Sequence, residues 1–145
     1  MSYIIQLLKE NEQAVCDLYE LFAKKFPIYR VFWKSIADDE RLHVQFLEYT
    51  ERKKIKVNEG ILNIKQVKNT IDHVRGLHER IMSGEELTIL QAVKEAINVE
   101  NSIVEMNFFK PFELNTGYVH QSIEKIKEET KGHYKKLKML KDSLS

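Results

Sequence analysis

Four stretches of this chain carry an apolar stripe that advances by alternating steps of three and four, and each stripe is broken near its middle by a polar residue. The first reads Ile5, Leu8, Glu12, Val15, Tyr19, Phe22, Phe26; the second reads Trp33, Ile36, Glu40, His43, Leu47. The third reads Leu90, Val93, Ile97, Glu100, Val104; the fourth reads Val119, Ile123, Ile126, Thr130, His133, Leu137, Leu140. This spacing is the period of a helix face packed against other helices. A carboxylate in such a face costs on the order of several kcal/mol unless a partner compensates it. Several at one level of one core require a cation, and a bound metal ion is the simplest.

The rest of the composition limits what surrounds these stripes. A chain of 145 residues fits one domain, taken here as residues 1–145, and can bury a substantial core. Five glycines and two prolines leave little material for turns, so few, long elements are expected. A net charge of +1 offers no global field for nucleic acid or an acidic membrane. The lysines Lys135, Lys136, Lys138 and Lys141 alternate with Leu137, Met139 and Leu140 and read as the solvated side of an amphipathic helix. The single cysteine, Cys16, excludes an internal disulfide and any CxxC zinc or iron site. No apolar run reaches membrane-spanning length, and MSYIIQLLKENE lacks a signal-peptide shape, so a cytoplasmic location is the expectation.

Five helical stretches are expected, at about 3–25, 29–54, 64–82, from the 83–86 region to about 109, and about 118–140. Phe26-Pro27 ends the first, and Pro111 with Asn115-Thr116-Gly117 separates the last two. Ser83-Gly84-Glu85-Glu86 reads as a capping box that opens the third core helix, with Ser83 as N-cap. Short connections make the first two helices antiparallel, and likewise the last two. The roughly thirty residues between the second and third core helices let the chain return along the molecule. The expected fold is all-α: a four-helix bundle with one long crossover that carries a short extra helix.

The two hairpins look like an internal repeat. WKSIADDERLH (33–43) aligns with IEKIKEETKGH (123–133) at an offset of 90, which pairs His43 with His133 and Asp39 with Glu129. Glu12 and Glu100 correspond at an offset of 88. Glu12 lies 15 residues before Pro27 and Glu40 lies 13 after it, while Glu100 lies 17 before Gly117 and His133 lies 16 after it. At about 1.5 Å rise per residue all of these groups fall near one level.

Glu40-Arg41-Leu42-His43 sets a carboxylate and an imidazole at i and i+3 on one helix face, a weak signal alone. Glu from two helices, with Glu-x-x-His from the other two, is the ligand set of ferritin-like dimetal carboxylate proteins. The chain resembles the rubrerythrin-like branch of that superfamily over nearly its whole length. The resemblance is clearest in NEQAVCDLYELFAKKFP, FWKSIADDERLH and QAVKEAINVENSIVE. It implies metal-ligand roles for Glu12, Glu40, His43, Glu100 and His133, and a di-iron site or another divalent pair (iron, manganese or zinc). It also implies handling of peroxide or dioxygen as a non-haem iron oxidoreductase. The family's usual electron donor, a rubredoxin-like domain with four cysteines, has no counterpart here, so redox chemistry would need an external donor.

One departure is decisive. The fourth helix carries Thr130 where the family has a glutamate three residues before the histidine, and Glu129 stands beside it. Two readings compete for Glu129. In the repeat it matches Asp39, a residue expected to hydrogen-bond the imidazole of the other half. Alternatively, a π-bulge turns it into the ligand position. The repeat favours the former. Two functions therefore stand: a metal-dependent oxidoreductase, and a non-catalytic bundle with a degenerate site that serves in metal handling or as an interaction module. Tyr19 reads as plain core ahead of a phenol that supports a metal ligand; His73, His78, His120, Glu95 and Glu105 read as surface. Tyr3, Phe108, Phe109 and Phe112 read as covers of the bundle ends or as a homodimer contact.

Overall fold

The computed structural model describes residues 2–145, and among these every regular element is helical. Helix α1 spans Tyr3–Lys25, α2 Arg30–Arg52, α3 Ile64–Met82, α4 Ile89–Glu105 and α5 Gly117–Leu144. Short 3-10 turns lie at Pro27–Tyr29, Glu59–Ile61 and Lys110–Phe112. None of the helices is long and apolar enough to cross a membrane, among the described residues.

Local chemistry sets the helix ends. Ser2 caps α1 by accepting a hydrogen bond from the Ile5 N–H at 3.2 Å. Pro27 stops α1 by pushing Phe26 out of the helical region, to φ −123 and ψ 75. Asn63 caps α3 through the Gln66 N–H at 3.2 Å.

The capping box expected at Ser83 is not formed. Ser83 instead closes α3: the Gly84 N–H bonds Ile81 O at 3.1 Å and the Glu85 N–H bonds Arg80 O at 3.0 Å. Gly84 adopts φ +106, open to glycine without strain, as this kind of termination requires. The box belongs to Thr88 and Gln91. Thr88 Oγ1 accepts from the Gln91 N–H at 3.1 Å, and Gln91 Oε1 accepts from the Thr88 N–H at 2.9 Å. Helix α4 thus begins about five residues later than the sequence suggests. Thr88→Ala should cost about 1 kcal/mol, a fall in Tm of about 2–4 °C, while Ser83→Ala should stay within about 0.5 kcal/mol. Thermal melts of the two variants check this, and equal losses would contradict the cap assignment.

Helices α1 and α2 form a long antiparallel hairpin, tied by Lys9–Glu51 at one end (3.0 Å) and Glu20–Lys34 at the other (2.9 Å). Helix α3 packs along α1, and α4 packs along α5. Helix α5 meets α2 in antiparallel register through His133–Asp39 and Glu129–His43. The crossover is pinned to the α4–α5 connection by Asn58 N–H to Pro111 O and Asn115 Nδ2 to Lys56 O, both 2.9 Å.

Two faces differ from the stripes read in sequence. Helix α1 is buried on a second side as well, at Ile4, Leu7, Ala14, Leu18 and Leu21, because α3 covers it. In α4 the buried face is rotated toward Ala92, Ala96, Val99 and Ile103, and Leu90, Ile97 and Val104 are only partly covered. Val93 and Glu100 lie on both faces, so Glu100 still points inward. Phe108, Phe109 and Phe112 are buried within the chain and close one end of the core, while Tyr3 is 49% exposed with Lys68 over its ring.

Candidate metal centre

The five interrupting residues converge. Glu12 from α1, Glu40 and His43 from α2, Glu100 from α4 and His133 from α5 are each at most 2% exposed. They fall into two triads: Glu12, Glu40 and His43, and Glu40, Glu100 and His133. Within each, one ligand atom per residue lies within 4.8 Å of the other two. Glu40 belongs to both. Its Oε2 lies 3.4 Å from His43 Nδ1 and its Oε1 lies 3.3 Å from His133 Nδ1. Glu12 Oε2 is 3.6 Å from His43 Nδ1, and Glu100 Oε1 is 3.6 Å from His133 Nδ1. The imidazole rings stack with centroids 6.4 Å apart and planes 25° apart.

These separations are looser than those of a closed ion-pair cluster, and the two Glu40 contacts, at 3.4 Å and 3.3 Å, match the spacing of ligands that share a metal, with the Glu12 and Glu100 contacts slightly longer at 3.6 Å. Charge-assisted hydrogen bonds between imidazolium and carboxylate settle at about 2.7–2.9 Å. The four contacts above are all longer. Ligand atoms that share a metal at bonds of about 2.1 Å, with angles of about 90–110°, lie about 3.0–3.4 Å from one another. Consistent with this, both oxygens of Glu40, Glu12 Oε2, Glu100 Oε2, both nitrogens of His43 and His133 Nδ1 have no hydrogen-bond partner. Orphaned buried acceptors are rare and each needs a cause.

The outer ring nitrogens face carboxylates, one hydrogen-bonded and one only approached. His133 Nε2 bonds Asp39 Oδ2 at 2.8 Å, and Glu129 Oε1 lies 3.5 Å from His43 Nε2. Asp39 and Glu129 are partly exposed, with side chains 32% and 25% accessible. A carboxylate behind an imidazole fixes the ring and its tautomer, leaving Nδ1 to face the interior. Glu129 therefore sits on the far side of His43 from both triads, at the place matching Asp39 in the repeat. The local helix is regular there, without the bulge that would turn Glu129 inward. Thr130 is buried beside this layer, and its hydroxyl donates to its own helix, to Ile126 O at 2.9 Å.

Tyr19 is more than core. Its phenol donates to Glu100 Oε1 at 3.0 Å, and its ring packs on Trp33 with centroids 5.6 Å apart. The sequence ranked a supporting phenol behind plain core and could not name the partner, which comes from α4, 81 positions away. The expected surface residues are peripheral: His73 pairs with Glu95 at 2.8 Å outside the core, and His120 and Glu105 are exposed.

Charge within the cluster is strongly redistributed. Burial pulls the His43 pKa down, but contact with Glu12 and Glu40 carries it up to about 11. Burial acts likewise on His133, and Glu100 and Glu40 carry it to about 11. Burial raises Glu40, but close contact with Glu12 and both imidazoles outweighs it and holds the group well below the usual carboxylate range. Burial and the Glu40 charge push Glu12 well up and Glu100 up to about 7. Without a metal, the site is two imidazolium ions around one firm carboxylate, with two carboxyls inclined to hold protons.

No protein-family model, curated protein or solved structure matches this chain. What the site can do is read from its own geometry: buried carboxylate and imidazole groups able to hold divalent metal.

Proposed function

We propose that this chain is a ferritin-like, rubrerythrin-like helical bundle that binds two divalent ions side by side. The single observation that carries this reading is the pair of buried triads sharing Glu40, with atoms spaced and unpartnered as metal ligands are. Glu12 and His43 would hold one ion, Glu100 and His133 the other, and Glu40 both. Oxygen and imidazole donors suit iron or manganese, with zinc a further divalent ion of matching preference. An iron or manganese pair, when bound, would supply two-electron chemistry toward peroxide or dioxygen, which zinc would not.

The protein's own groups support that role. Burial excludes bulk water, Asp39 orients the His133 imidazole by a hydrogen bond, Glu129 stands 3.5 Å behind that of His43, and Tyr19 holds Glu100 by its phenol. Electrons would come from an external donor. Thr130 supports a second reading: with three inner carboxylates in place of four, the bundle would hold metal for storage or assembly without turnover.

Metal analysis of the purified protein tests the reading. About two ions per chain, with absorbance that changes on exposure to peroxide, is expected for the oxidoreductase. Two ions without any response to peroxide or oxygen supports the second reading. A folded protein that takes up no divalent ion sinks the metal reading and leaves the non-catalytic bundle as an interaction module.

Metal entry should also release protons. His43 and His133 hold theirs in the metal-free protein up to about pH 11, and imidazole must lose its proton to bind metal. The raised values stabilise the metal-free fold fully below the ordinary histidine range, and this contribution is lost as pH rises toward 11. Protons and metal therefore compete, and metal affinity should climb between pH 6 and 9. At pH 7 at least two protons should leave per fully loaded chain, measured by calorimetry in buffers of different ionisation heat. An affinity independent of pH would mean that the imidazoles are already neutral.

A further inference from the structure

Helices α2 and α5 leave one common face to solvent. Asp39 and Glu129 point across the seam between them, toward His133 and His43. Asp38 and Glu128, one position earlier on each helix, are turned by about 100° and are exposed. Because the helices are antiparallel and face each other, that turn carries both to the same side of the seam. On α2 the outward stripe is Val31, Ser35, Asp38, Leu42, Gln45 and Tyr49; on α5 it is Lys125, Glu128, Gly132, Lys136 and Met139. Both stripes advance by three and four, the period of a helix face packed on a partner. Val31 is 83% exposed, Leu42 55% and Met139 72%, so the face carries large apolar groups that nothing covers.

Gly132 lies in the middle of this face, inside a helix of 28 residues. A Cβ there would meet nothing within 4 Å. Glycine in a helix interior costs about 1 kcal/mol relative to alanine, and no described residue occupies the space it leaves. Close approach by something outside the chain would use it. The face is also its own complement. A half-turn about an axis at Gly132, in the plane of the face and across the helices, lays each helix antiparallel on its own copy. Glu128 of one copy then meets Lys136 of the other, each four residues from Gly132. Glu128 is 76% exposed and approaches its own Lys131 only at 3.9 Å, while Lys136 is exposed. The register of His133 with Asp39 and Glu129 with His43 puts Gly132 level with Glu40. The α2 stripe is symmetric about that level: Val31 and Tyr49 lie nine residues to either side, Ser35 and Gln45 five, Asp38 and Leu42 two. One axis therefore serves both helices, and it sets Val31 against the Tyr49 ring of the other copy.

We propose that the α2–α5 face is a homodimer interface, formed by two copies packed antiparallel about an axis at Gly132. From Val31 to Tyr49 the face runs about 27 Å, and two helices of about 10 Å make it roughly 20 Å wide. That footprint of roughly 500 Å² per copy buries about 1,000 Å² in all, the lower end for a specific interface, so the dimer is reversible. It covers Asp39 and Glu129, which are partly exposed in the single chain, and so closes the outer side of both imidazoles. The dimer stands whether or not the core holds metal.

Sedimentation velocity of the intact protein over a range of concentrations is the test. A monomer–dimer equilibrium with Kd of about 1–100 μM is expected. Val31→Glu should weaken it at least tenfold and leave the circular dichroism of the monomer unchanged, because Val31 lies outside the core. Glu128→Lys and Lys136→Glu should each weaken it alone, by setting like charges face to face, and the two together should restore it. Positions 128 and 136 are about 12 Å apart along one helix, so no contact within a chain explains such a rescue. Under mild oxidation Gly132→Cys should cross-link to its own copy, since a residue at the axis meets itself. Ser35→Cys, about 7.5 Å from the axis level, should not, because a disulfide needs Cα atoms within about 7 Å. A monomer at every concentration would overturn the proposal. So would a dimer that survives Val31→Glu and is not cross-linked through position 132, since its interface then lies on another face.

Discussion

Glu40→Gln should abolish binding of both ions. Glu40 is the one residue common to the two triads, and each of its oxygens faces a different imidazole, at 3.4 Å and 3.3 Å. Glutamine keeps the shape, removes the charge and turns one of the two acceptors into a donor that cannot ligate a cation. Residues that merely orient a ligand change metal affinity by about 10–100-fold. Loss of a shared ligand should exceed about 100-fold at each site. Glu12→Gln should damage chiefly the ion beside His43, and Glu100→Gln chiefly the ion beside His133, because each carboxylate belongs to one triad only. Glu105→Ala, at an exposed position of α4, should leave both unchanged. Mn(II) titration of the four variants reads the pattern directly. Equal losses in Glu12→Gln, Glu40→Gln and Glu100→Gln would show a single ion in the middle of the cluster.

How much of this could be read from sequence depends on where the information lies. Glu12, Glu40, His43, Glu100 and His133 were visible because each breaks a hydrophobic period, and helical phase alone carries such residues inward. The repeat located Glu129 behind His43, since Asp39 occupies the matching place behind His133. Other features were hidden for physical reasons. Alanine contributes little to a hydrophobic pattern, so Ala92 and Ala96 did not reveal the rotated face of α4. The second buried side of α1 exists only because α3 packs there, a contact that the local pattern of α1 leaves unspecified. Ser83-x-x-Glu86 and Thr88-x-x-Gln91 satisfy one capping rule equally well, and the choice falls to Gly84, whose positive φ ends α3 first. The bond from Tyr19 to Glu100 links two helices far apart in the chain, and a tyrosine on an apolar stripe carries no mark of its partner.

On the two-ion reading, removing the metal should destabilise the protein far more than replacing the candidate ligand carboxylates. A single ion present at about 1,000 times its Kd stabilises the fold by about 4 kcal/mol. For a chain of this size each kcal/mol moves Tm by roughly 2–4 °C. Chelation of the loaded protein should therefore lower Tm by about 10 °C or more. The double variant Glu12→Gln, Glu100→Gln should behave in the opposite sense. Burial and the Glu40 charge already hold both carboxyls above their usual range, toward the neutral form that glutamine imitates. Replacing buried charged groups by neutral ones of similar shape is commonly neutral or stabilising. The metal-free double variant should melt within about 1 kcal/mol of metal-free wild type, and added metal should no longer raise its Tm. A cluster whose purpose is to tie the helices together by ion pairs makes the reverse demand: breaking it would cost about 3–5 kcal/mol, and metal would do nothing to the wild type. Melting curves of both proteins, with and without Mn(II), separate a site kept at the expense of the metal-free fold from one kept for that fold.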